Sequence, residues 1–171
     1  AAYKEKIYSF IKPRPYRVLE IPETPQNLEP GLSYKYYAET LERLPDFSKL
    51  KPAATGITEQ FSLKPAEAHD FNAFALLFTG YIDIPRDGMY AFSTASNDGS
   101  RLYIGDHRVV NNDGLHKEET VTGFVALRKG KYPIRVSYFE AGGVDALSVY
   151  YTGPDIPYQE VPAEALFHAA K

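Results

Sequence analysis

Cysteine is absent from the sequence. That excludes disulfides, thiolate metal sites and a cysteine nucleophile in one step, and it leaves the compartment open. No apolar run approaches the roughly 18 residues of a membrane span, and no secretory leader is visible, so membrane insertion is not expected. The first residues are Ala1-Ala2, without methionine. We expect a processed or excised piece of a longer protein, for which a missing leader says nothing about export. Lys and Arg do not cluster among the aromatics and the net charge is −3, so neither nucleic acid nor an anionic membrane surface is an expected partner. The G-x-S-x-G elbow, the phosphate-binding glycine loop and the dinucleotide fingerprint are all missing. Nothing selects a glycosidase pair from the 22 acidic residues. We therefore expect no enzyme activity from this chain alone.

Tyrosine and phenylalanine are plentiful, at 14 and 10 of 171 residues, and hydrophobic residues make up 44%. One domain with a real core is affordable at this length. Tyrosine suits β-structure, where the ring packs on a pleated face and the hydroxyl reaches a polar rim. Period-two alternation begins at residue 73. "AFALLFTGYIDIP" puts Phe74, Leu76, Phe78, Gly80, Ile82 and Ile84 on one face. "MYAFSTAS", "SRLYI", "RVV", "TVTGFVAL", "YPIRVSYF" and "DALSVYY" follow, each bounded by turn residues. Short strands every 8–12 positions predict an all-β, antiparallel sandwich or barrel.

Residues 1–30 read as a connector or the tail of a preceding domain. Pro13, Pro15, Pro22, Pro25 and Pro30 forbid a helix and favour an extended segment, within which "YRVLEI" can form one edge strand. Residues 31–168 form the domain proper. "LSYKYYAETLERLP" reads as a strand and a short helical turn ended by Pro45, and "DFSKLKPAATG" as loop. Tyr103, Tyr151 and Tyr158 are expected on outward faces.

If consecutive strands run antiparallel, successive loops alternate between the two ends of the sandwich. Residues 85–88, 105–107, 128–131 and 152–155 then share one end, built of tight reversals. The other end collects residues 96–99, 111–119 and 140–143, and the segment "KPAEAHDFN" arrives there as well. That end is rich in side-chain oxygen, from Asn97, Asp98, Asn112, Asp113 and Glu140, and it carries His116 and His69. Loops on a rigid scaffold are where binding residues gather. Carboxylates and amides suit calcium and also sugar hydroxyls. The same residue types are equally the usual turn formers, because they tolerate positive φ and bond their own backbone. Phe71, beside His69 and Asp70, is the candidate ring for stacking on a sugar.

Four stretches belong together: "GLSYKYY" at 31–37, "FTGYIDIPRDGMYAFSTASNDGSRLYIGDHRVVNNDGLH" at 78–116, "GFVALRKGKYPIRVSYFEAGG" at 123–143, and "LSVYYTGPD" followed by "VPAEALFH". In them the sequence resembles the protective-antigen-type (PA-fourteen) domain family. The resemblance implies a jelly-roll-like β-sandwich with an adhesive or accessory role. It implies a non-catalytic carbohydrate-binding module of a secreted or periplasmic bacterial glycoside hydrolase, with a β-N-acetylhexosaminidase or another exo-glycosidase as the expected parent. The alternative is a structural module that docks on the parent enzyme and shapes its substrate cleft. A glycan and the neighbouring catalytic domain are the implied partners, outside the cell, in the periplasm or on the cell surface. In the sugar-binding adhesins of that family two adjacent aspartates joined by a cis peptide hold calcium. Asn97 and Asp98 occupy their place here, which makes calcium the candidate cofactor and Asn97 a departure. Asn97, Asp98, Asn112, Asp113, His116, Glu140 and Phe71 are the candidate ligand-binding residues.

Overall fold

Alternating apolar residues become strands wherever turn residues bound them, and thirteen strands form among the described residues. The computed structural model describes residues 18–19, 26–69 and 72–170. In chain order the strands are β1 (Val18–Leu19), β2 (Leu28–Pro30), β3 (Leu32–Tyr37), β4 (Ala54–Thr58), β5 (Phe74–Ile84), β6 (Gly88–Asn97) and β7 (Ser100–Ile104). They continue as β8 (His107–Asn112), β9 (Glu119–Leu127), β10 (Gly130–Glu140), β11 (Ala146–Gly153), β12 (Ile156–Glu160) and β13 (Leu166–Ala169). A single helical turn, α1, spans Lys64–Glu67.

Two sheets face each other. The smaller has the order β1-β9-β6-β11-β12. The larger, of eight strands, runs β2-β13-β5-β10-β7-β8, with β3 on the free edge of β5 and β4 beside β3. All pairings are antiparallel except the short β1–β9 ladder, which is parallel. The chain changes sheet between β1 and β2, β5 and β6, β6 and β7, β8 and β9, β9 and β10, β10 and β11, and β12 and β13. The fold is the all-β antiparallel sandwich that the sequence pattern predicts. Most of the Pro-rich segment lies outside the described residues; within "YRVLEI", Val18–Leu19 makes the edge strand β1.

The inward stripe of β5 sits at the centre. Phe78, Ile82 and Ile84 are fully buried and meet Tyr90 and Phe92 of β6, Leu102 and Ile104 of β7, and Ile134 and Val136 of β10. Each such side chain contributes about 1.5–3 kcal/mol relative to exposure. Tyr151 also faces inward, on the stripe of Leu147 and Val149, so the expectation of an outward ring there is wrong. Tyr158 is outward and stacks on Tyr150.

Residues 38–46 form no helix. Instead the segment 38–50 lies across the outer face of the larger sheet, where Leu41, Leu44, Phe47 and Leu50 pack with Tyr37, Ala75 and Phe139 in a second apolar cluster. A 3-10 turn at Phe47–Lys49, capped by the Asp46 carboxylate, fixes its end. The predicted loop 46–56 therefore yields to this turn and to β4.

The tight reversals meet at one end. The Lys129 amide donates to Asp87, Arg86 pairs with Asp155, and Gly88 abuts Pro154. The opposite end carries the candidate site.

Candidate functional site

Asp98 is the hub of that opposite end. It follows β6, is 8% exposed, and is joined to Asn97 by a cis peptide bond. Its Oδ1 accepts the His116 amide at 3.0 Å and its Oδ2 accepts the Ala141 amide at 3.0 Å. One carboxylate thus ties the 113–118 loop to the 141–145 loop. Gly99 lets the three segments close, because a Cβ there would overlap the Phe139 ring and lie 2.8 Å from the Gly114 nitrogen. The Phe139 amide donates to the Gly99 carbonyl at 2.9 Å.

Beneath Asp98 runs a buried polar ladder. Asn112 Nδ2 donates to Ser96 Oγ at 3.1 Å and to the Glu119 carbonyl at 3.0 Å. Ser96, Ser100 and Thr94 continue the chain through hydroxyl contacts of 2.7 and 2.8 Å. Asn112 is a structural member of this ladder and holds the loop's base. Asp113 turns the other way, onto the outer face of the larger sheet. There it accepts the Leu44 amide at 2.8 Å and the Arg101 guanidinium at 2.5 Å.

His116 has both ring nitrogens against carbonyl oxygens, Nδ1 at 2.7 Å from Lys117 and Nε2 at 3.0 Å from Asn112. Only the imidazolium can donate to both. Burial works against that charge. The two carbonyls and the Glu119 and Asp98 carboxylates outweigh it, and the His116 pKa is raised.

Glu140, at the end of β10, is 2% exposed. Its Oε1 accepts the Gly142 amide at 2.8 Å. Its Oε2 lies 3.3 Å from the Tyr138 hydroxyl, whose closer acceptor is the Asn97 carbonyl at 2.6 Å. Burial raises the Glu140 pKa and the Asp98 and Asp145 carboxylates add to the effect, against the opposing pull of Gly142 and Tyr138. The Tyr138 hydroxyl is held well above its ordinary value, chiefly by burial and then by Glu140.

Glu140 also lines a small cavity of about 170 Å³, with Glu67, His69, Asn72, Gly143 and Asp145 at its walls and Phe74 among its lining residues. His69 is fixed there by stacking on Tyr36, with centroids 4.0 Å apart. The segment before β5 therefore arrives at the Asp98 end, as strand parity requires. Phe71 and Asp70 lie outside the described residues. Asn72 and Asp145 were not singled out by the sequence reading, although Asn72 closes the segment "KPAEAHDFN" that it brings to this end. Their only signal was position, each a residue or two before a strand that starts at this end.

The oxygens at this end are engaged first by the protein's own donors. Calcium takes six to eight oxygen ligands. Both Asp98 oxygens accept backbone amides, the Asn97 carbonyl accepts the Tyr138 hydroxyl, and Glu140 accepts the Gly142 amide. Among the described residues no group of three or more His, Asp or Glu is placed to hold a metal. The arrangement fits a hydrogen-bonded staple beside a polar cavity.

A family model described as PA14 domain matches residues 28–165. The chain belongs to the PA14 domain family. This PA14 domain is 26% identical over 145 residues to the anti-sigma-I factor RsgI3 of Acetivibrio thermocellus, covering 84% of the chain and 22% of that protein. It thus spans about a fifth of its curated relative. An anti-sigma factor domain-containing protein shares the fold with a TM-score of 0.72 and 24% identity, over 87% of this chain and 51% of that one. A PA14 sugar-binding domain from an RTX adhesin shares it with a TM-score of 0.70 and 18% identity, over 82% of this chain and 99% of that one.

Proposed function

We propose that this PA14 domain is a non-catalytic glycan-binding module, carried outside the cell, in the periplasm or on the cell surface as part of a longer protein. The sugar enters the cavity between His69 and Glu140. The composition of that cavity carries the reading. Sugar hydroxyls both donate and accept, and the walls offer acceptors on Glu67, Glu140 and Asp145 with mixed donors and acceptors on Asn72 and His69. The volume of about 170 Å³ is below the ~300–1,000 Å³ typical of drug-sized ligand sites, and suits one terminal ring. The shared fold of the sugar-binding adhesin domain supports it. Recognition runs through protein groups, without calcium.

The expected glycoside hydrolase parent finds less support than a regulatory one. The anti-sigma relatives favour a parent that regulates over one that cleaves glycan. A glycan array probed with the chain, in calcium and in chelator, tests the function. The same oligosaccharides should be retained under both conditions, and aryl glycosides should not be hydrolysed. Silence on the array from a folded sample would remove the sugar reading. Retention only with calcium would overturn the direct mode.

A second reading, docking on the parent, is favoured by the outer face of the smaller sheet. Phe124 is 67% exposed there, opposite Ala91, and Met89 and the Tyr150–Tyr158 stack lie on the same face. Phe124→Asp would weaken an interdomain contact and leave sugar binding intact.

A further inference from the structure

Two concavities lie away from the Asp98 end, on the outer face of the larger sheet. Two hollows of about 760 and 380 Å³ meet at Arg135, which lines both. The strand register shows what paves them. One cross-strand row reads Ser33, Thr79, Arg135, Tyr103 and Arg108 over β3, β5, β10, β7 and β8. The next row reads Lys35, Leu77, Ser137, Arg101 and Asn111. With strands about 4.8 Å apart, each row crosses roughly 20 Å.

Four cations thus share two neighbouring rows in a chain whose net charge is −3. Asp113 neutralises Arg101. Among the described residues, Lys35, Arg108 and Arg135 have no carboxylate partner. Of the acids on the walls, Asp46 is engaged by Ser48 and Lys49, and Asp106 sits in the β7–β8 turn. The Arg135 guanidinium lies 4.3 Å from the Tyr103 ring centroid, which holds it in place. A guanidinium fixed in this way presents its N–H edges for bidentate pairing with a carboxylate. Ser33 and Thr79 add hydroxyls, and Tyr81 adds a half-buried ring.

We propose that this groove is a second glycan site, for a polyuronate lying along the sheet face. Its carboxylates meet Arg135 and Lys35, and its apolar ring faces lie against Tyr81. A peptide that pairs by backbone seeks a free strand edge, whereas β5, β10 and β7 are flanked on both sides along these rows. The site shares no residue with the His69–Glu140 cavity, so either can fail without the other.

Affinity electrophoresis through gels containing alginate, in chelator, tests it, with carboxyl-amidated alginate as the neutral comparison. Alginate alone should retard the chain, and added salt should weaken the effect. The Lys35→Gln/Arg135→Gln double variant, altered at exposed positions, should bind about tenfold more weakly, because two solvent-screened charge pairs with the polymer are lost. Glu140→Gln should bind alginate as the wild type does. The proposal is overturned if folded wild type is not retarded, if the amidated polymer retards it equally, or if the double variant is unchanged. Equal competition by poly-L-glutamate would also overturn it and assign the groove to an acidic peptide.

Discussion

At the residue scale the Asp98 end is an electrostatic compromise. Asp98 is a carboxylate whose two oxygens each serve a backbone amide. Asp98→Ala would leave both amides unmatched in a buried place, and we expect a loss of about 2–4 kcal/mol in chemical denaturation. Glu140 works in the opposite sense, because its charge is buried beside Asp98 and Asp145. A glutamine could still accept from Gly142 and could donate to the Tyr138 oxygen. Glu140→Gln should therefore stabilise the domain at neutral pH, by about 0.5–2 kcal/mol, while weakening sugar binding. His116 adds a pH signature. Its folded pKa lies above the unfolded value of about 6.5. The stability it confers is complete below that pH and is lost as pH rises through the folded value. Thermal scans across that window should show a falling midpoint in wild type and a flatter profile in His116→Gln. The residue types were legible in the sequence, but their roles were not. Asn112 and Asp113 are neighbours, and strand alternation sends one into the buried ladder and the other to Arg101. Only the register of β8 against β7 decides which goes where.

At the scale of elements, legibility followed burial. Strands with one core face and one outer face, such as β5 and β10, announced themselves by alternation along the stretch that the 38–50 segment leaves uncovered. β12 is a largely exposed edge strand carrying Pro157, and β4 is short and half-buried, so neither offers a period to read. The 38–50 segment misled for a different reason. Leu41 and Leu44 have the spacing of a helix face, but the outer apolar row of Tyr37, Ala75 and Phe139 gives them a better burial in extended form. Tertiary packing overrides local propensity there. Leu44→Ala removes a buried side chain from the cluster that this segment covers, and should cost about 2–4 kcal/mol. Hydrogen exchange should accelerate first at the Leu44 amide, whose acceptor is Asp113.

At the scale of the whole molecule the sandwich separates two kinds of ending. Parity of antiparallel strands was enough to sort the loops, so the meeting of Asp98, His116, Glu140 and His69 at one end was readable before any coordinate. The cavity itself was not, because it depends on which atoms the staple leaves uncommitted. The central claim is that the cavity walled by His69, Asn72, Glu140 and Asp145 receives a sugar. Its most direct test is an NMR titration of the labelled chain with the oligosaccharide best retained on the array, in chelator. The account predicts shift changes concentrated at His69, Asn72, Glu140, Gly143 and Asp145, and about tenfold weaker binding by His69→Ala. Changes confined to the tight turns around Asp87, Lys129 and Asp155, or to neither end, would contradict it.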